Sequence, residues 1–109
     1  MPMPPQPAFR ALSDPTRRSI LRLLSEREMS VAEVSQRFDM TRAAVRKHLT
    51  ILEEGALIRV RRQGRETLNA LRPEGLEPVH DWLSFFDRFW DARLDELKTA
   101  IETGESGDD

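Results

Sequence analysis

Apolar residues recur at spacings of three and four from Val31 to Phe38 and again from Ala44 to Leu52, with only Asp39-Met40 between the two runs. That periodicity predicts two short amphipathic helices joined by a tight turn. Ser30 and Glu33 form a capping-box pattern at the start of the first, and Thr41 is a suitable N-cap for the second. On a wheel of about 100° per residue, Ala44, Val45, His48, Leu49 and Leu52 share one side of the second helix, with Ile51 at its edge. Thr41, Arg42, Ala43, Arg46, Lys47 and Thr50 are left for the other side or the cap. Upstream, Ala8 to Leu12 suits a short helix. Asp14-Pro15 then starts another, whose apolar face is Ile20, Leu21, Leu23 and Leu24.

Downstream, Leu57 to Leu71 alternates as a hairpin does. Ile58 and Val60 interleave with Arg59 and Arg61, and Leu68 and Ala70 with Thr67 and Asn69. Arg62-Gln63-Gly64-Arg65 lies between the strands, with Gly64 able to take positive φ. Glu53-Glu54-Gly55 ends the preceding helix, and Gly55 suits a left-handed C-terminal position. After Pro73 the pattern predicts one long helix, from about residue 74 or 76 to Glu102. Leu76, Val79, Leu83, Phe86, Trp90, Leu94, Leu97 and Ile101 form one stripe on it, and Trp82, Phe85 and Phe89 a second. Two stripes are more than one small domain can cover, so a second copy of the helix is the expected partner. The expected interface comprises Leu76, Val79, Trp82, Leu83, Phe85, Phe86, Phe89, Trp90 and Leu97.

These elements divide the chain into a disordered arm (1–7), a DNA-binding domain (8–72), a dimerisation helix belonging to the same domain (73–102) and a flexible acidic tail (103–109). The fold class is mainly α with a small β-hairpin, a winged helix-turn-helix with a long C-terminal dimerisation helix.

Charge sharpens the reading. The net charge of −2 points away from nucleic acid, but its distribution does not. Residues 1–72 carry a net +6 and residues 73–109 a net −8. The first part can therefore approach phosphate while the second keeps the protein soluble. The exposed side of the second helix is cationic, hydroxylated or small, as suits base edges and phosphates in a major groove. The wing, Arg61, Arg62, Gln63, Gly64 and Arg65, is expected to grip the backbone or probe the minor groove.

Other chemistry finds little support. The chain has no cysteine, which excludes disulfides and thiolate metal sites. Five scattered glycines give no phosphate-cradling loop, and there is no nucleophile elbow or metal-binding pair, so an enzyme is not expected and no cofactor is assigned. No signal-peptide pattern and no stretch of transmembrane length is seen, so a cytoplasmic protein with no membrane partner is expected. A rival from another class is a protein-interaction module whose aromatic helix captures a protein or an apolar ligand. Arg42, Arg46 and Lys47 beside Arg62 and Arg65 argue against it, since such a module has no need of them.

Three segments resemble a known family. Ala11-Leu12-Ser13-Asp14-Pro15-Thr16-Arg17-Arg18-Ser19-Ile20-Leu21-Arg22-Leu23-Leu24 is similar to the opening signature of ArsR/SmtB-type winged-helix repressors. Residues 44–58, from Ala44-Val45-Arg46-Lys47-His48-Leu49 to Gly55-Ala56-Leu57-Ile58, resemble that family's recognition helix running into the wing. Residues 82–94, Trp82 to Leu94, resemble the aromatic C-terminal helix of a branch without metal.

The resemblance implies a homodimer on double-stranded DNA at an inverted-repeat operator, repressing nearby genes and often its own. It implies groove contacts from Thr41, Arg42, Ala43, Arg46 and Lys47, and a wing tip of Arg62 to Arg65. Arg46 stands where the family commonly has Ser, and Arg42 where it often has Gln, so the operator need not follow a family consensus. Ser30 and Ala32 occupy the places of the metal sensors' cysteines, and His80 is the one histidine on the C-terminal helix, so no metal site is expected. His48 is read as orienting a backbone group or a neighbouring helix rather than reading a base. The operator, the target genes and any effector are not legible in the residues.

Overall fold

The computed structural model describes residues 6–107, with side chains described to Gly104. Seven elements build the body: α1 (Gln6–Leu12), α2 (Pro15–Leu24), β1 (Met29–Ser30), α3 (Val31–Phe38), α4 (Arg42–Glu54), β2 (Ile58–Gln63) and β3 (Glu66–Leu71). A 3-10 turn (Pro73–Leu76) leads to α5 (Glu77–Ser84) and α6 (Asp87–Gly107).

The caps do what their residue types favour. The Asp14 carboxylate accepts from the Arg17 N–H at 3.0 Å, with Pro15 in the first turn of α2. The Ser30 hydroxyl accepts from the Glu33 N–H at 3.2 Å, and the Glu33 carboxylate accepts from the Ser30 N–H at 3.1 Å. Arg17 and Arg18 fold back to donate to the C-terminal carbonyls of α1, on Ala11, Arg10 and Leu12, at 2.8–2.9 Å. Part of the basic count of the first 72 residues is thus spent inside the fold.

Ile20, Val34, Val45 and Leu52 from the helices meet Met29 and Leu57 in a fully buried centre. Ala8 and Ala11 press α1 against the end of α4, and Gly55 is the reason it can come so close. A Cβ there would sit 2.9 Å from the Pro7 carbonyl oxygen and 3.2 Å from the Ala11 Cβ.

The left-handed residue expected at Gly55 is found one position later. Gly55 has φ −79°, and Ala56 has φ 60°. The Ala56 and Leu57 N–H groups donate to Glu53 and Leu52, closing a Schellman motif around an alanine.

The sheet has three antiparallel strands in the order β1-β3-β2, one more than the hairpin expected. Met29 pairs with Asn69, and Ser30 with Leu68. Asn69 stands opposite both Met29 and Val60, is buried, and donates through Nδ2 to the Met29 carbonyl at 3.2 Å. The turn is shorter than expected. Arg62 and Gln63 belong to β2, Gln63 pairs with Glu66, and Gly64-Arg65 alone connect the strands, with Gly64 at φ 64°.

Three boundaries differ from the sequence reading. Gln6 and Pro7, expected in a disordered arm, are helical, while residues 1–5 lie outside the described residues. The single C-terminal helix is two. At Phe85 and Phe86 the backbone N–H groups donate three residues back, to Trp82 and Leu83, and the α-helical ladder is interrupted. Trp82, Phe85 and Phe86 crowd there, with ring centroids 5.0–5.2 Å apart in edge-on pairs. Finally, α6 runs to Gly107 where a flexible tail from 103 was expected; residues 108 and 109 lie outside the described residues.

Candidate nucleic-acid interface

The turn between α3 and α4 is set by Asp39, which takes the left-handed conformation (φ 52°), and by the Ser35 hydroxyl, which donates to the Met40 carbonyl. Thr41 then caps α4, its hydroxyl accepting from the Ala44 N–H at 3.1 Å. Val45, Leu49 and Leu52 are buried, and Ala44, His48 and Ile51 half-buried. Thr41, Arg42, Ala43, Arg46, Lys47 and Thr50 are all exposed. The apolar side of α4 therefore anchors it on the core and leaves the six polar or small residues facing outward together.

Arg61, Arg62, Gln63, Gly64 and Arg65 are exposed as well, but the structure sorts the hairpin's cations into two kinds. Arg61 donates through Nε to the Glu28 carboxylate at 3.1 Å and through a second nitrogen to its other oxygen, a two-pronged pair. Arg59 pairs with Glu74 at 3.2 Å, and Arg72 donates to the Ala56 carbonyl at 3.2 Å. These three tie β2 and the chain beyond β3 to two neighbouring carboxylates and one backbone carbonyl. Arg61, expected among the DNA contacts, thus sits mid-strand with its charge matched by an acid 33 residues earlier in the chain. By contrast Arg42, Arg46, Lys47, Arg62 and Arg65 have no hydrogen-bond or ion-pair partner among the described residues, and neither does Arg37 near the end of α3. Arg10, Arg22 and Lys98 are free too, away from this face.

Arg42, Arg46 and Arg65 line a recess of about 130 Å³ between the start of α3, α4 and the tip end of the wing. Ser30, Val31, Ala32, Glu66 and Thr67 complete its lining. A second recess, of about 170 Å³, continues between α4 and the sheet past Arg46, Thr50 and Thr67.

Electrostatics beneath this face favour the charged form of three carboxyls. The Arg17 N–H, then the charges of Arg17 and His48, hold Asp14 below its ordinary value against some desolvation. Arg61 does the same for Glu28, and Arg27 together with the Ser30 N–H for Glu33. His48 lies on the inner edge of α4 with Nδ1 3.9 Å from the Asp14 carboxylate, which joins the recognition helix to the cap of α2. His48 Nδ1 is buried without a hydrogen-bond partner among the described residues, so it makes no hydrogen bond that would orient a neighbour. His80 is exposed beside Asp81, and no group of three or more His, Asp or Glu is gathered as a metal cage among the described residues.

The aromatic segment splits at the interruption after α5. Leu76 and Val79 pack against the chain's own core, and Trp82 and Phe86 are half-buried. Phe9 of α1, which the sequence reading did not single out, meets Trp82 edge-on at 5.8 Å. Its position one residue after a buried Ala8 on a seven-residue helix gave no periodic signal. Leu83, Phe85, Phe89, Trp90, Leu94, Leu97 and Ile101 are all at least half exposed. From Asp87 to Gly104 every side chain is exposed. The Arg88 guanidinium lies over the rings of Phe85 and Phe89, at 5.2 and 4.9 Å.

A helix-turn-helix followed by a basic two-stranded wing defines a winged-helix DNA-binding protein. Residues 12–61 match the model of a helix-turn-helix domain. The chain is 33% identical over 105 residues to the HTH-type transcriptional regulator Rv2034 of Mycobacterium tuberculosis, covering 96% of this chain and 94% of that one. It is 32% identical over 78 residues to the transcriptional repressor SdpR of Bacillus subtilis, covering 72% of this chain and 87% of that one. The crystal structure of the ArsR family transcriptional regulator RHA00566 superposes with a TM-score of 0.70 at 36% identity, over 79% of this chain and 89% of that one. The chain belongs to the ArsR/SmtB family of winged helix-turn-helix transcriptional regulators. It is a DNA-binding regulator and not an enzyme, and no helix among the described residues is long and apolar enough to cross a membrane.

Proposed function

We propose that the protein is a cytoplasmic homodimeric repressor that occupies an inverted-repeat operator near its own gene. The observation that carries the reading is the division of the cations. The guanidinium groups of Arg59, Arg61 and Arg72 are matched by carboxylates or carbonyls, while those of Arg42, Arg46, Arg62 and Arg65, with the Lys47 ammonium, face outward unmatched. Unmatched cations on a helix and a hairpin tip that share one face are what a phosphate backbone attracts. Thr41, Arg42, Ala43, Arg46, Lys47 and Thr50 enter the major groove, and Arg62, Gln63, Gly64 and Arg65 meet the flanking backbone. Arg61 supports the wing from within.

The second copy joins through α6. Phe89, Trp90, Leu94, Leu97 and Ile101 line its uncovered side, continued by Leu83 at the end of α5 and Phe85 at the interruption. Trp82 and Phe86 border that seam, and Leu76 and Val79 anchor its base to the protomer's own core. A 21-residue helix, roughly 30 Å long, with an apolar stripe wholly in water is costly for a monomer and is satisfied by its own symmetric partner. The two recognition helices then lie about 34 Å apart, one turn of DNA.

Selection from a random or genomic duplex pool with purified protein tests the reading. An inverted repeat with half-sites one helical turn apart supports it. Equal retention of all sequences at moderate ionic strength rejects it.

A further inference from the structure

The six outward residues of α4 do not share one job. At about 100° per residue, Ala43, Lys47 and Thr50 point most directly away from buried Val45 and Leu52. Arg42 and Arg46, one turn apart, lie on the flank that turns toward α3 and the wing. Their place in the recesses agrees. Arg42 and Arg46 line the cleft beside Arg65, and Arg46 also lines the neighbouring one, with Thr67 common to both. Ala43 and Lys47 line neither, and Thr50 lines only the second, beside Arg46.

We infer that this cleft takes a single DNA phosphate in each half-site, clamped by Arg42, Arg46 and Arg65, and that base reading is left to Ala43, Lys47 and Thr50. The inference rests on the DNA-binding reading and divides its contact set. Three arginines without ion-pair partners, two from α4 and one from the wing turn, line one small space, a set suited to the oxygens of one phosphate. Val31 and Ala32, the first two residues of α3, line the same space, where a helix start favours an anion. The Thr67 hydroxyl is a further donor at the wall. Glu66 is the opposing term: its carboxylate also lines the cleft and has no cationic partner within 4 Å. The charge facing the phosphate is therefore three cations against one anion.

The clamp links the wing to the recognition helix through the DNA itself. A phosphate held by Arg65 from the wing and by Arg42 and Arg46 from α4 fixes the depth at which α4 lies in the groove. It carries no sequence information of its own. The base edges then meet Lys47, suited to guanine O6 and N7, Thr50, and the Ala43 methyl, suited to the thymine methyl.

The test uses the full-length protein and a duplex recovered by the random-pool selection, with one phosphate at a time replaced by an uncharged methylphosphonate. One position per half-site is expected to weaken the wild type about tenfold. At that position Arg42→Ala, Arg46→Ala and Arg65→Ala should each be almost insensitive to the replacement, because the contact is already lost. Lys47→Ala should keep the full loss and instead alter the ranking of single base-pair variants. Glu66→Gln should tighten binding to selected and shuffled duplexes alike. All five residues are exposed, so unchanged thermal melting is expected throughout. Two results overturn the clamp alone: Arg46→Ala changing base preference while staying sensitive to every methylphosphonate, or Arg42, Arg46 and Arg65 answering to three different phosphates. A wild type that binds no duplex overturns the DNA-binding reading and the clamp with it.

Discussion

Trp90→Ala should convert a stable dimer into a protein that is monomeric at working concentrations. Trp90 is 65% exposed, the largest exposed fraction among the big apolar side chains. A tryptophan can bury up to about 250 Å², so roughly 150 Å² of this ring remains for a partner to cover. If only half of that is covered, the ring contributes about 2 kcal/mol at about 25 cal/mol per Å². Symmetry removes two rings for each substitution, about 4 kcal/mol in all, which is about a thousandfold in dimer Kd. Sedimentation equilibrium across a concentration series reads this directly. A Trp82→Phe background makes Trp90 the sole indole, so its emission should shift to the blue as the wild-type interface forms. A monomeric mass for the wild type at micromolar concentration, or a Trp90→Ala variant that associates as tightly, refutes the α6 seam.

Ala56→Gly should raise stability by about 0.5–1 kcal/mol, because Ala56 holds φ 60° at the end of α4, a conformation that costs an L-residue but not glycine; urea unfolding reads it. Asp14, Glu28 and Glu33 all have folded-state values held below their ordinary 3.8 or 4.5. Their stabilisation is therefore complete above those ordinary values and is lost as pH falls through the lowered ones. The urea midpoint should decline below about pH 4.5, and less steeply in Glu28→Gln, which has one fewer carboxyl to protonate. Phe9→Ala should leave the dimer mass unchanged but widen the range of half-site spacings accepted, since Phe9 holds Trp82 and through it the base of α6. An unchanged spacing preference would show that the ring contact does not orient the pair.

The recognition helix was legible in the sequence because two independent signals agree on it. The apolar spacing from Ala44 to Leu52 fixes its inner face, and Thr41 fixes its start; each of the six outward residues is exposed as that pattern requires. The wing hairpin was legible as an alternation, but not its third strand, since Met29 and Ser30 are too short to show a period. The partner of Arg61 was hidden for a related reason. Glu28 becomes its neighbour only when β1 pairs with β3, so a charge that looks available for DNA is matched by long-range topology. At the end of α4, glycine was assigned to torsional freedom, whereas Gly55 is required by the approach of Pro7 and Ala11. Sequence composition does not distinguish a glycine needed for space from one needed for φ.

The interruption after α5 was hidden because apolar spacing runs straight through it. Leu83, Phe86 and Trp90 keep their intervals whether or not the ladder between them is continuous. What the interruption changes is the allocation of surface. A single straight helix would carry Leu76, Val79, Trp82 and Phe86 on the same stripes as Trp90 and Leu97, and one partner would have to cover them all. With the ladder broken at Phe85 and Phe86, Leu76 and Val79 pack on the protomer's own core, Trp82 meets Phe9 of α1 and Phe86 stacks edge-on against Trp82, while those beyond stand clear in water. The seam and the DNA-binding body are thereby joined through one short aromatic junction, Phe9 to Trp82 to Phe86. In the proposed dimer, any change in the angle at that junction would move both recognition helices at once, in opposite senses about the twofold axis. For that assembly, half-site spacing is expected to be the quantity most sensitive to this junction, more so than dimer affinity, which would rest on α6, or single-site affinity, which would rest on α4 and the wing.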